Sequence, residues 1–157
     1  MHPKQFARFG GGILVIVGLL ALIPSFSTFS SALPTLTLDN SYGIFANAVP
    51  MNIVNKLVLI GLGLLGIFST MSSTRSLPLS IRWSQWVAGI AALTFVLGLM
   101  PSTNTLGGYM PLFGGDVVFH AVFGLVAAYY GFVLKAKADH KIAPLIENDK
   151  QFSRKVS

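Results

Sequence analysis

The chain has 157 residues, of which 53% are apolar and only 10% charged, with a net charge of +6. Soluble domains carry roughly 25% charged residues, so this composition excludes a soluble globular fold and points to a membrane-embedded chain. Cysteine is absent, which removes disulfides, thiol chemistry and Cys-ligated metals.

A spanning helix needs about 20 mostly apolar residues, and four stretches meet that need. The expected fold is all-α, an integral membrane four-helix bundle with helices at about 9–26, 51–71, 83–100 and 111–134. The first carries Pro24 near its far end, and the third stops at Pro101. A cleaved signal peptide is a second reading of the N-terminus, with Ser30-Ser31-Ala32 as the cleavage site. The length of the apolar run and the long approach after Pro24 favour a retained helix. Segment 27–50 is rich in Ser, Thr and Leu, with Asp39 as its single charge. It reads as a surface loop, with a short interfacial helix near Tyr42–Ala48 as an option. Residues 136–157 read as a polar, disordered cytoplasmic tail.

Charge fixes the orientation. Lys4 and Arg8 precede the first helix, Arg75 and Arg82 join the second to the third, and Lys135, Lys137 and Lys141 follow the fourth. Segments 27–50 and 101–110 contain no Lys or Arg. Positive residues mark the cytoplasmic side, which puts both termini inside a bacterial cytoplasmic (inner) membrane. Trp83 and Trp86 then fall at the inner interfacial belt. The basic residues suit topology and anionic headgroups, so nucleic acid is not an expected partner.

A faint repeat relates the two halves. Leu22-Ile23-Pro24-Ser25 and Thr28 match Leu99-Met100-Pro101-Ser102 and Thr105. Asn55 then superposes on Asp116, and Gly63 on Gly124. This suggests two tandem helical hairpins related about an axis along the membrane normal.

Charges inside a bilayer cost about 2.5–3.5 kcal/mol each even on the lenient insertion scale, so the few polar groups within the helices carry the interest. Asn52, Asn55 and Lys56 on the second helix share the outer third of the membrane with Asp116 and His120 on the fourth. Asp116, His120, Gly124 and Ala128 fall at i, i+4, i+8 and i+12, a stripe polar outside and small inside. Asn52, Asn55, Leu59, Gly63 and Gly66 repeat that pattern, and Ser84, Ala88, Ala91 and Gly98 give the third helix a similar face. Small residues admit close helix approach, and polar ones bond across it.

Three readings of the cluster stand side by side. It is an interhelical clamp built on a Lys56–Asp116 ion pair; or an outward-facing site for a proton, ion or headgroup; or Lys56 snorkels to the headgroups and Asp116 is solvated.

Sharper chemistries fail on counting. His120 is the only histidine at membrane depth, so bis-histidine haem lacks a ligand. Asp116 and His120 lack a third strong metal ligand. Gly10-Gly11-Gly12 opens a helix and no phosphate loop, and no Ser or Thr lies in a nucleophile motif. Neither a metal nor a cofactor is expected.

The pattern Asp116-x-x-x-His120-x-x-x-Gly124 opening the fourth helix resembles that of a bacterial membrane family known as domain of unknown function 4383, over roughly residues 10–134. Members look like four-helix proteins with an Asn-x-x-His-Asn-x-x-His type motif opening the second helix. Here Asn52 matches it, while Asn55 and Leu59 stand where histidines would be. The resemblance implies the four-helix architecture and attention to Asp116 and His120, and it lends no activity. The expected role is a non-enzymatic structural or accessory membrane protein, partnered by the lipid bilayer and, through its small-residue faces, by a second copy or another membrane protein. The rival is a minimal transporter or proton/ion-binding protein.

Overall fold

The computed structural model describes residues 2–29, 31 and 33–135; the tail expected at 136–157 lies outside the described residues. Four helices dominate: α1 (Pro3–Leu22), α2 (Ile53–Ser69), α3 (Ser76–Leu99) and α4 (Gly115–Ala128). Between α1 and α2 lies a small antiparallel sheet of β1 (Ser27–Thr28), β2 (Gly43–Phe45) and β3 (Val49–Met51), in the order β1-β2-β3. The all-α expectation therefore holds for the bulk of the chain and fails in the first long loop. There, a hairpin replaces the optional helix at Tyr42–Ala48.

Helix ends differ from the apolar runs for local reasons. α1 begins at Pro3, six residues before the apolar run. Proline suits a first helical position because it lacks the N–H that would go unpaired there, and His2 N–H is taken by Gln5 Oε1 at 2.9 Å. The helix ends at Leu22, and Pro24–Phe26 form one 3₁₀ turn. α3 starts at Ser76, well before Trp83, because Pro78 falls inside the first turn where proline is tolerated. α4 starts at Gly115 and passes into a π-turn at Tyr129–Val133. Gly131, within that turn, lets α3 approach: a side chain there would strike Gln85, whose amide donates to the Gly131 carbonyl at 2.9 Å.

α1 packs antiparallel on α2, and α3 on α4, with lighter contacts of α3 on α1 and α2. Backbones meet at the first pairing. A Cβ on Gly63 would stand 2.5 Å from the Gly11 carbonyl oxygen and 2.8 Å from Val15 N, and one on Gly18 2.9 Å from the Lys56 oxygen. Gly66 admits the Trp83 indole, whose Nε1–H donates to the Leu62 carbonyl at 2.9 Å. Trp83 is therefore core, and only Trp86, 73% exposed, is free to reach an interface. Gly124 lies against Ala91, while Ser84, Ala88, Ala91 and Gly98 are all buried. Ala128 is half-buried against the core. The small-residue faces thus serve contacts within the chain. Phe6 ties α1 to the other helices, stacking on Tyr130 at 4.6 Å and lying 5.7 Å from Trp83 and 5.9 Å from Phe123.

Outside this packing, the helices turn apolar stripes outward. Phe9, Ile13, Ile16 and Leu19 on α1, and Val118, Val122 and Leu125 on α4, are each at least half exposed. Pro3–Leu22 and Gly115–Val133 are long and apolar enough to cross a membrane, and their windows are only 39% and 22% buried. The apolar helix Ile53–Ser69 is shorter.

The helix faces can be tested by paired glycines. Gly63→Ala should lower the unfolding temperature in detergent, since its methyl meets main chain. Gly61→Ala has nothing within 4 Å and should leave stability unchanged or raise it, alanine being favoured in helices by roughly 1 kcal/mol over glycine. Equal losses at both positions would mean that the faces are wrongly assigned.

Candidate functional site

The polar residues of the α2 start do not form one cluster with those of α4. Asn52 caps α2 and is fully buried. Its Oδ1 accepts from Val54 N at 3.0 Å and Asn55 N at 3.4 Å, and its Nδ2 donates to the carbonyls of Leu38 at 2.8 Å and Tyr109 at 2.7 Å. An asparagine amide can do this because it holds two donors and an acceptor oxygen with two lone pairs. Asn55 Oδ1 returns a bond to Asn52 N at 3.2 Å, while its Nδ2 reaches the Pro111 carbonyl at 3.0 Å. The two asparagines therefore fasten both long connections to the first turn of α2.

Lys56 departs from the expected ion pair. Its ammonium donates to the Ser41 carbonyl and to Ser41 Oγ, both at 2.7 Å. Ser41 itself sits in the left-handed region at φ 57°, a conformation whose cost these two bonds help to offset. Asp116 pairs instead with His120 on its own helix, the only ion pair among the described residues. The Lys56–Asp116 clamp is not formed. α2 packs chiefly on α1 and α4 on α3, and the two side chains turn to different partners. Snorkelling fails as well, because Lys56 is 1% exposed and its head is held by the loop.

Asp116 occupies the first turn of α4, where a carboxylate is favoured by the helix dipole. Gly114 (φ 63°) turns the chain into the helix, and Gly115 N–H is held by the Ala48 carbonyl at 3.2 Å. His120 Nδ1 lies 2.9 Å from the Asp116 carbonyl oxygen and 3.0 Å from Oδ2. A carbonyl can only accept, so Nδ1 carries the hydrogen, and in the neutral ring Nε2 is an acceptor. The N–H is directed to the main chain. Oδ2 is buried and stands 3.0 Å from the same Nδ1, close enough to share its hydrogen with the main-chain oxygen.

Beside the pair lies a cavity of about 40 Å³, lined by Asn55, Thr94, Met110, Asp116, Phe119 and His120 among mostly apolar side chains. That volume accommodates water, which needs roughly 10–15 Å³ of such space and two to four polar partners. Asn55 and Asp116 both line this cavity. Leu59 lines it too, one turn from Asn55, as His120 stands one turn from Asp116. Toward the far end of α4 the stripe continues as Gly124 and Ala128, against Ala88 and Ala92. No group of three or more His, Cys, Asp or Glu that could hold a metal occurs among the described residues.

Sequence reasoning missed Ser41, which holds Lys56, and Thr94 and Met110 at the cavity. No spacing signal marks them, because their partners come from other segments.

Residues 4–133 match the family described as Domain of unknown function (DUF4383). The chain belongs to that family. Among curated proteins and among solved structures, nothing matches.

Two stability effects follow. Asn52→Ala strands two loop carbonyls and two helix N–H groups, and should cost about 3 kcal/mol or more, at 1–3 kcal/mol for each buried orphan. Lys56→Met and Asp116→Leu share no partner, so their effects should add within about 0.5 kcal/mol. Mutual rescue in a double-mutant cycle, read by thermal unfolding, would restore the ion pair that this geometry lacks.

Proposed function

We propose that this chain is a four-helix integral protein of the bacterial cytoplasmic membrane, with both termini inside. In this reading Asp116 and His120 form its working site, a buried proton-binding pair, in a non-enzymatic role. The membrane reading is supported by the apolar stripes that the helices turn outward. Soluble proteins rarely expose contiguous apolar patches above a few hundred Å², whereas lipid is the natural cover for such a surface. Of the six described basic residues, Lys4, Arg8, Arg75, Arg82 and Lys135 belong to one end of the helices, which fits the cytoplasmic side, while Lys56 is buried near the other.

The proton-binding reading rests on one observation: the buried Oδ2 of Asp116 stands 3.0 Å from His120 Nδ1 beside a water-sized cavity. A structural polar group in a helical protein bonds across to a neighbour, as Asn52, Asn55 and Lys56 do. The Asp116–His120 contact lies within one helix and joins no two elements. Carboxylate and imidazole can each hold the proton the other lacks, and a pair so close titrates as a unit. Inward of the pair the stripe is glycine and alanine, so the chemistry supported is binding of a proton at this site, with no relay assigned.

Two measurements test this. An impermeant thiol reagent applied from outside should label Asn104→Cys and leave Arg75→Cys unlabelled; the reverse pattern would overturn the topology. Infrared difference spectra of the purified chain across roughly pH 4–9 should show a carboxyl band that Asp116→Asn removes and His120→Gln moves along the pH axis. Spectra identical in wild type and Asp116→Asn would overturn the proton-binding reading.

A further inference from the structure

A second cavity, of about 210 Å³, lies between the far end of α1, the sheet and the start of α2. Its polar lining comes from three separate segments: Ser27 and Thr28 of β1, Ser41 and Tyr42 just before β2, and Lys56 of α2. The Lys56 residue is 1% exposed, yet no carboxylate lies within 4.0 Å of its ammonium among the described residues. Two of its three N–H donors go to Ser41, which leaves one. Ser27 Oγ and Tyr42 Oη are both buried without a hydrogen-bond partner among the described residues. Burial pushes the Tyr42 phenol above its ordinary range, so it stays an O–H donor at neutral pH.

Buried charges are as a rule paired, and buried hydroxyls bonded, because leaving either unmatched is costly. Here one cation without a counter-charge and two unpartnered hydroxyls belong to residues that border one space. The group that would satisfy all three at once is an anion with several acceptor oxygens. The wall also carries the apolar Ala21, Pro24 and the 80%-exposed Phe29, which suits a ligand carrying its charge at one end.

We propose that Lys56, Ser27 and Tyr42 form a binding site for a phosphate group, offered by a lipid headgroup or by free phosphate. Lys56 supplies the charge and the hydroxyls fix the orientation of the oxygens. The β1–β2 pairing sets Ser27 opposite Phe45, and a Cβ on Gly43 would stand 3.4 Å from Ser27 Cβ, so Ser27 lies beside the residue that follows Tyr42. The lipid source rests on the membrane reading above, whereas binding of free phosphate does not, and neither depends on Asp116.

The test uses the full chain purified in detergent, with binding followed by calorimetry. Its probes are inorganic phosphate, a short-chain phosphatidylglycerol, and a diacylglycerol with the same chains and no phosphate. Binding of phosphatidylglycerol alone assigns a headgroup site, and binding of inorganic phosphate as well assigns a site for the free anion. Tyr42→Phe and Ser27→Ala, each removing only a hydroxyl, should weaken binding at least about tenfold, as expected for a hydrogen bond to a charged group. Asp116→Asn should leave it unchanged. Equal binding of diacylglycerol, no binding of either phosphate probe to chain shown folded by circular dichroism, or full affinity in both hydroxyl variants would overturn the proposal. Phosphate binding retained alongside a pH-silent Asp116 would remove the proton-binding reading alone.

Discussion

The buried amide of Asn52 decides how the polar end of this protein is put together. Two N–H groups at the start of α2 have no partner within the helix, and two carbonyls arrive from connections far apart in the chain, at Leu38 and Tyr109. One side chain meets all four needs in a place sealed from water, where an unmade bond is expensive. Fixing Asn52 fixes the rotation of the first turn of α2. Asn55 then falls against Pro111 and Lys56 against Ser41, so the positions of both connections follow from it. At the opposite end the requirement is steric: Gly63 and Gly66 let α1 and Trp83 come close enough for Phe6 to join its aromatic neighbours.

Polar residues at a common depth therefore divide by direction. Successive residues of a helix point about 100° apart, so Asn55 and Lys56 look into different cavities, one beside Asp116 and one behind the sheet. Depth was legible in the sequence because hydrophobic runs measure it. Direction was legible only where spacing repeats, as in the Asp116–Gly124 stripe. The Lys56–Asp116 pairing failed because its warrant was depth alone.

The same distinction explains which elements were readable. The four helices announce themselves through apolar length, and the glycine faces through period. The early starts of α1 and α3 did not, since Lys4, Arg8 and Arg82 end an apolar run without ending a helix. The sheet was hidden for another reason. Its hairpin turns at Ala46 and Asn47, both with positive φ, where glycine would be the usual signal, and its strands are only two or three residues long. Pro50 sits on the edge strand β3, where the lost N–H does least harm.

His120 touches Asp116 across one turn of a single helix, with its N–H on the same residue's carbonyl. The pair thus moves as a rigid piece of α4. The walls that set its surroundings, by contrast, come from α1, α2, α3 and the segment before α4. Sliding of α4 against α3 would change the space around the pair and leave the spacing within it intact. Geometry and environment are carried by different parts of the molecule, so the packing of the helices can tune the site without disassembling it.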